Sequence, residues 1–268
     1  SLSRADDAPD EPGTVVWHRD DLRIADNPAV AAAAADADRI VPLLVFDPAF
    51  YDERGAACDA RVEFLHDCLR DLDRQYRDVG GAGLTYGHGD PIEVLSRFVD
   101  AGWDAAASAT ATGRYGRRRD ERARERAGGR FVGGDGLVRD ADRPRENWSD
   151  RVESWFAADP FDWDPRSVAV ERVETAIDPD RASDAYDVAP TKTRVPTGGR
   201  GPARDRLRAF AEAIGEYPGS ISSPLDAREG TSGLSAYLRF GCLSVREVHR
   251  HVDERAPDGR GKSMYVSR

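Results

Sequence analysis

The densest concentration of side chains able to do chemistry is the run Thr231-Ser232-Gly233-Leu234-Ser235-Ala236-Tyr237-Leu238-Arg239-Phe240-Gly241-Cys242-Leu243-Ser244. Thr231, Ser232 and Ser235 each carry a hydroxyl that can donate to an anion, and Gly233 lets the backbone come close to a ligand. Placed at the start of a helix, such a segment also presents free backbone N–H groups at the positive end of the helix dipole. Leu234 and Leu238, with Gly241 and Cys242 one turn on, give that helix an inward face. On these residues alone two readings stay open, a phosphate cradle and an N-capped core helix.

Other reactive residue types form no constellation. His18, His66, His88, His249 and His251 are scattered, and the last two fall on different sides of a helix, so no metal site is expected. Cys58, Cys68 and Cys242 have no metal-ligand spacing, and their odd number leaves no complete disulfide framework. They read as small core or surface residues. Trp148, Trp155 and Trp163 read as linker anchors and core residues.

The elements that must position the run follow from periodicity. Residues 1–13 hold acids and prolines with almost no large apolar groups and are expected to be a disordered tail. Strands are expected at Thr14–Trp17, Ile40–Phe46, Leu84–Tyr86 and Trp103–Ala109. Helices are expected after Asn27-Pro28, over Asp59–Val79 and after Asp90-Pro91. This alternation predicts an α/β domain over 14–140, a Rossmann-like parallel sheet with helices on both faces. Gly80-Gly81-x-Gly83 precedes a strand and is a turn, not a dinucleotide loop. Arg114–Arg130, with Asp120 and Arg124 at helical i,i+4 spacing, reads as a solvated helix in preference to a nucleic-acid patch. Residues 141–200 read as an interdomain linker with one helix around Trp155 and Phe156, and 201–268 as the start of an all-α domain.

Composition sets limits on the partner. The net charge is -10, and Lys192 and Lys262 are the only lysines among 39 cations. This balance resembles proteins from salt-accumulating (halophilic) organisms, where screening over about 3 Å at 1 M salt lets an acidic surface approach DNA. No apolar stretch reaches membrane-spanning length and the acidic start lacks a signal-peptide pattern, so no membrane association, a cytoplasmic location and a monomer are expected.

The order Thr-Ser-x-Leu-Ser, a spacer, Gly, then Leu-Ser resembles the flavin-binding signature of the DNA photolyase and cryptochrome family. Trp17-His18-Arg19-Asp20-Asp21-Leu22-Arg23, followed by Asp26-Asn27-Pro28-Ala29, is similar to the opening of that family's N-terminal domain. The resemblance implies FAD as cofactor, damaged DNA as partner, and light-driven electron transfer that repairs pyrimidine dimers. A cryptochrome-like blue-light photoreceptor and a stand-alone α/β antenna or nucleotide-binding module are the alternatives.

The same resemblance implies that Thr231, Ser232, Gly233, Leu234 and Ser235 hold the FAD diphosphate region, with Tyr217 against the flavin. Gly233 stands where the family most often has arginine. It also implies an antenna chromophore, a folate or a deazaflavin, near the end of the first strand. Arg19, Asp21 and Arg23 either line that site or form an ion-paired loop that docks the two domains. Thr110–Tyr115 carries no clear folate signature. Tyr265 takes an aromatic place at the flavin, and Arg268 replaces a lesion-contacting glutamate. The chain is expected to stop before the family's main FAD-binding helices, to hold FAD weakly or not at all, and to be inactive as it stands.

Overall fold

The computed structural model describes residues 11–51, 58–110, 113–134, 147–192, 194–218 and 230–267. The expected tail up to residue 10, and Arg268, lie outside the described residues.

In chain order the elements begin β1 (Thr14–His18), α1 (Pro28–Asp36), β2 (Arg39–Phe46), α2 (Pro48–Tyr51), α3 (Asp59–Asp78), β3 (Thr85–His88), α4 (Pro91–Asp100), β4 (Asp104–Ser108), α5 (Arg114–Ala127) and β5 (Arg130–Val132). Then come α6 (Trp148–Ala157), β6 (Ala169–Val170), α7 (Pro179–Ala185), α8 (Arg200–Ala213), a 3₁₀ turn (Ile214–Glu216), α9 (Ser235–Arg239), α10 (Val245–Arg255) and α11 (Arg260–Val266). The strands form one sheet in the order β3-β2-β1-β4-β5, with every pair parallel, and β6 lies beside the first residues of β2.

Strand alternation divides the apolar residues between two cores. Val16, Ile40, Leu44 and Ala106 point to one face, under α1 and α3, while Val15, Trp17, Val41, Leu43, Ala105 and Ala107 point to the other, under α4 and α5. The first core does not stop at the sheet. It runs on through α3 into Ala203, Leu207 and Phe210 of α8, Leu234, Tyr237 and Phe240 around α9, and Val248 and Val252 of α10. The helical segment therefore shares apolar packing with the α/β layer.

Three local readings are corrected. The segment between the two parts is more than linker: β6 pairs with β2 at Arg39 and Ile40, and Val168, Val173 and Ala182 are buried. Trp148, expected as an anchor, is 47% exposed. Asp120 on α5 pairs with Arg19 and Arg119, not with Arg124, because its side chain turns inward to the end of β1.

Candidate functional site

Strands β1 and β4 are neighbours at the point where strand order reverses, and their carboxyl ends open onto a crevice in which such sheets place ligands. Asn27 organises this end. Its side-chain oxygen caps α1 by accepting from the Ala29 and Val30 N–H groups, and its amide nitrogen donates to the Arg23 carbonyl at 2.8 Å and to Asp21. Asp21 also accepts from Ser108 Oγ at 2.6 Å and from the Arg19 N–H at 3.0 Å. Burial pushes the Asp21 carboxyl up, but His18, Arg19 and the Ser108 hydroxyl outweigh it and hold the group well below the usual carboxylate range.

Arg19 reaches across to Asp120 and to the Ser108 carbonyl. Its guanidinium lies 4.9 Å from the Trp17 ring centroid and 5.2 Å from that of Phe131, and Arg119 lies 5.1 Å from Trp17. The result is a stack of alternating cations and aromatic rings along one wall of a cleft of about 700 Å³. Phe50, Tyr51, Tyr115 and Leu238 line other parts of it. From the Thr110–Tyr115 segment, the Thr110 hydroxyl donates to Asp20 and the Tyr115 hydroxyl to Asp47. Ala111 and Thr112 lie outside the described residues.

The loop after β1 also joins the two parts of the chain. The Leu22 N–H donates to the Phe240 carbonyl at 3.0 Å, Arg23 donates to the Gly241 carbonyl at 3.0 Å, and Arg239 pairs with Asp20 at 2.8 Å. Of the two readings of Arg19, Asp21 and Arg23, Arg23 serves docking directly, while Arg19 and Asp21 face the cleft. Gly241 sits at φ +67°, and a Cβ there would stand 2.5 Å from both the Asp20 carbonyl oxygen and the Asp21 Cα. Only glycine allows this approach.

The structure brings Thr231, Ser232, Gly233 and Ser235 into one exposed-to-half-buried segment and separates Leu234 from them. The Leu234 side chain is fully buried in the core, so only its backbone is available to a ligand. Ser235 opens α9, which spans five residues and not the long helix expected, because the left-handed Gly241 ends it, with the Gly241 and Cys242 N–H groups donating back to the Leu238 and Tyr237 carbonyls. Gly233 adopts φ +64°, and the space a Cβ would take is approached at 2.9 Å by Arg206 Nε. Arg206, which sequence reasoning missed, donates to the Ser232 carbonyl at 2.7 Å and the Thr231 carbonyl at 2.8 Å. Both carbonyls are thereby taken up against α8.

Tyr217 lies edge-on to Tyr265 at 5.4 Å and to Phe210 at 5.8 Å. Burial pushes the Tyr265 phenol up. The aromatic group and the hydroxyl segment meet in one core, through Phe210 and the buried Leu234. The segment offers three exposed or half-buried hydroxyls and a glycine backbone, with an aromatic cluster in the same core. The signal for Tyr265 was the resemblance of the segment at 263–268 to the family, and no signal in the sequence pointed to Arg206.

The family model described as DNA photolyase matches residues 14–133. The chain is 30% identical to a deoxyribodipyrimidine photo-lyase of Halobacterium salinarum over 87% of its own length and 53% of that protein's. It is 31% identical to a cryptochrome DASH of Natronomonas pharaonis over 92% of its length and 57% of that protein's. In structure it is similar to the archaeal photolyase of Sulfolobus tokodaii with two FAD molecules, with a TM-score of 0.68 at 20% identity, covering 94% of this chain and 57% of that one. The chain spans about half the length of the curated relatives it matches. With the parallel sheet, the opening motif and the downstream hydroxyl segment all in family order, the chain belongs to the DNA photolyase and cryptochrome family.

Proposed function

We propose that this chain forms the N-terminal α/β layer and one wall of the FAD site of a flavoprotein that repairs pyrimidine dimers in DNA by light-driven electron transfer. The observation that carries the reading is the segment Thr231–Ser235, with its open glycine backbone, anchored by Leu234 in the same core as the aromatic cluster of Phe210, Tyr217 and Tyr265. Thr231, Ser232 and Ser235 would donate to the diphosphate, and Tyr217 and Tyr265 would flank the bound group. FAD, when bound, supplies the light-excited electron. The protein residues bind and orient it: Arg206 holds the carbonyls of Thr231 and Ser232 back against α8, which leaves their hydroxyls as the groups able to face a ligand.

The cleft at the carboxyl ends of β1 and β4 is the place for a light-harvesting ligand, a folate, a deazaflavin or a second flavin. Its size and its aromatic lining suit a flat ring system.

The test is a flavin titration of the purified chain followed by gel filtration and absorption, with Thr231→Val and Ser235→Ala beside it. Loss of a hydrogen bond to a charged phosphate is worth about 1.5–3 kcal/mol, so each variant weakens FAD binding roughly tenfold or more. Unchanged affinity in both variants places the flavin elsewhere. In a longer product that completes the flavin site, flavin-loaded protein that leaves dimers unrepaired under blue light sinks the repair reading and favours a photoreceptor, the reading that the similarity to a cryptochrome DASH supports.

A further inference from the structure

The flavin reading makes no use of the two most buried sulfurs in the protein. Cys68 on α3 and Cys242 after α9 are both 0% exposed, and their Sγ atoms lie 3.4 Å apart across 174 residues of chain. No group of three metal ligands exists among the described residues, so the pair is not part of a metal cluster. Both thiols are free. We propose that Cys68 and Cys242 are an oxidative modification site, a vicinal thiol pair that closes to a disulfide and ties α3 to the turn that docks the helical segment.

Three segments meet at the pair. Cys242 follows Gly241, whose backbone rests on Asp20 and Asp21. Cys68 lies on the α3 face that packs against α8. The third segment is Gly198-Gly199, where a Cβ on Gly198 would stand 2.8 Å from Cys68 Sγ. This glycine pair covers the sulfurs without a side chain, and a small displacement of it opens them to a small oxidant. One thiol donates to the other across this contact, and the Gly199 N–H faces both sulfurs. The shared proton and the Gly199 N–H hold the Cys242 thiol below its ordinary range against the upward push of burial, while the contact with Cys242 and burial push the Cys68 thiol up. With Cys242 as the leading thiolate, Cys68 stands 3.4 Å away as the resolving thiol.

With hydrogen peroxide as oxidant the step balances. The Cys242 thiolate attacks one peroxide oxygen, the O–O bond breaks, and the departing hydroxide takes a proton to become water. Cys242 is then a sulfenic acid. The Cys68 sulfur attacks it, an S–S bond forms, and the S–O bond breaks, with the Cys68 proton leaving on the second water. Two thiols lose two electrons in total and one peroxide gives two waters.

The test uses the 268-residue chain carrying Cys58→Ser, which removes the exposed thiol and leaves the buried pair. Native protein is treated with hydrogen peroxide, then denatured, its thiols counted, and its peptides mapped by mass spectrometry without reduction. The expected result is loss of both thiols, a peptide linking residues 68 and 242, and a mass lower by two hydrogens. Closing so long a loop should raise the thermal midpoint by on the order of 10 °C, reversed by reductant and absent in Cys68→Ser and Cys242→Ser. The proposal is overturned if both thiols survive, if Cys242 accumulates as sulfinic acid without a link, or if the link forms only in denaturant.

Discussion

Gly241 shows how much one residue can decide. Its backbone touches the loop after β1 so closely that any side chain meets main-chain atoms, which cannot swing aside. Gly241→Ala combines that overlap with an unfavourable positive φ, and its cost is expected at about 2–4 kcal/mol, read as a lowered urea midpoint. Two buried titratable groups set the acid limit. The Asp21 carboxyl is depressed in the folded state, so its contribution is complete above the unfolded value of about 4 and is lost as pH falls below it. His66, 1% exposed and hydrogen-bonded to Tyr51 and Ser183 at 2.8 Å each, is lowered by burial to about 4. The unfolded chain takes up a proton at this position near pH 6.5, before the folded one does, so stability declines from there towards pH 4. Denaturation followed across pH 7 to 4 should show that decline in the native chain and a flatter profile in His66→Gln. A profile identical in both would remove His66 from the account.

At the scale of elements, α8 and α10 are clamped by Glu247, which accepts from Arg200 at 2.7 and 2.8 Å and from Arg204 at 3.0 Å. Glu247→Ala leaves Arg200 half-enclosed without its carboxylate. A loss of about 2–4 kcal/mol is expected, measured by chemical denaturation, with Arg204→Ala costing far less because that side chain is 59% exposed. Ser244, which accepts from the Glu247 N–H at 2.9 Å, adds a cap to the same helix. Long elements could be read from the sequence because their apolar residues repeat: Val62, Leu65, Leu69, Leu72 and Tyr76 all face the core as α3 requires. The strands β5 and β6, of three and two residues, are too short to carry any period. The hydroxyls and glycine of Thr231–Ser235 were visible as types, while the hold of Arg206 and the contact of Cys68 with Cys242 depend on tertiary approach, which local spacing does not encode.

At the scale of the molecule, the apolar core that runs from β1 and β2 through α3 into α8 and α10 makes the α/β layer and the helical segment one packing unit. A single unfolding transition is expected, with near- and far-ultraviolet circular dichroism melting together. Two separated transitions would show that the segments fold independently. The short strand β6 carries a further consequence. Ala169 and the adjoining Glu171 donate to the Asp38 and Ile40 carbonyls and Val170 accepts from the Ala82 N–H, so this stretch occupies backbone at the start of β2 that would otherwise lie open. An open parallel edge is a template on which a strand from another copy can add. The irregular stretch between the two parts thus shields the molecule from its own neighbours, and cutting it near Ala169 would turn a covered border into a seam for self-association.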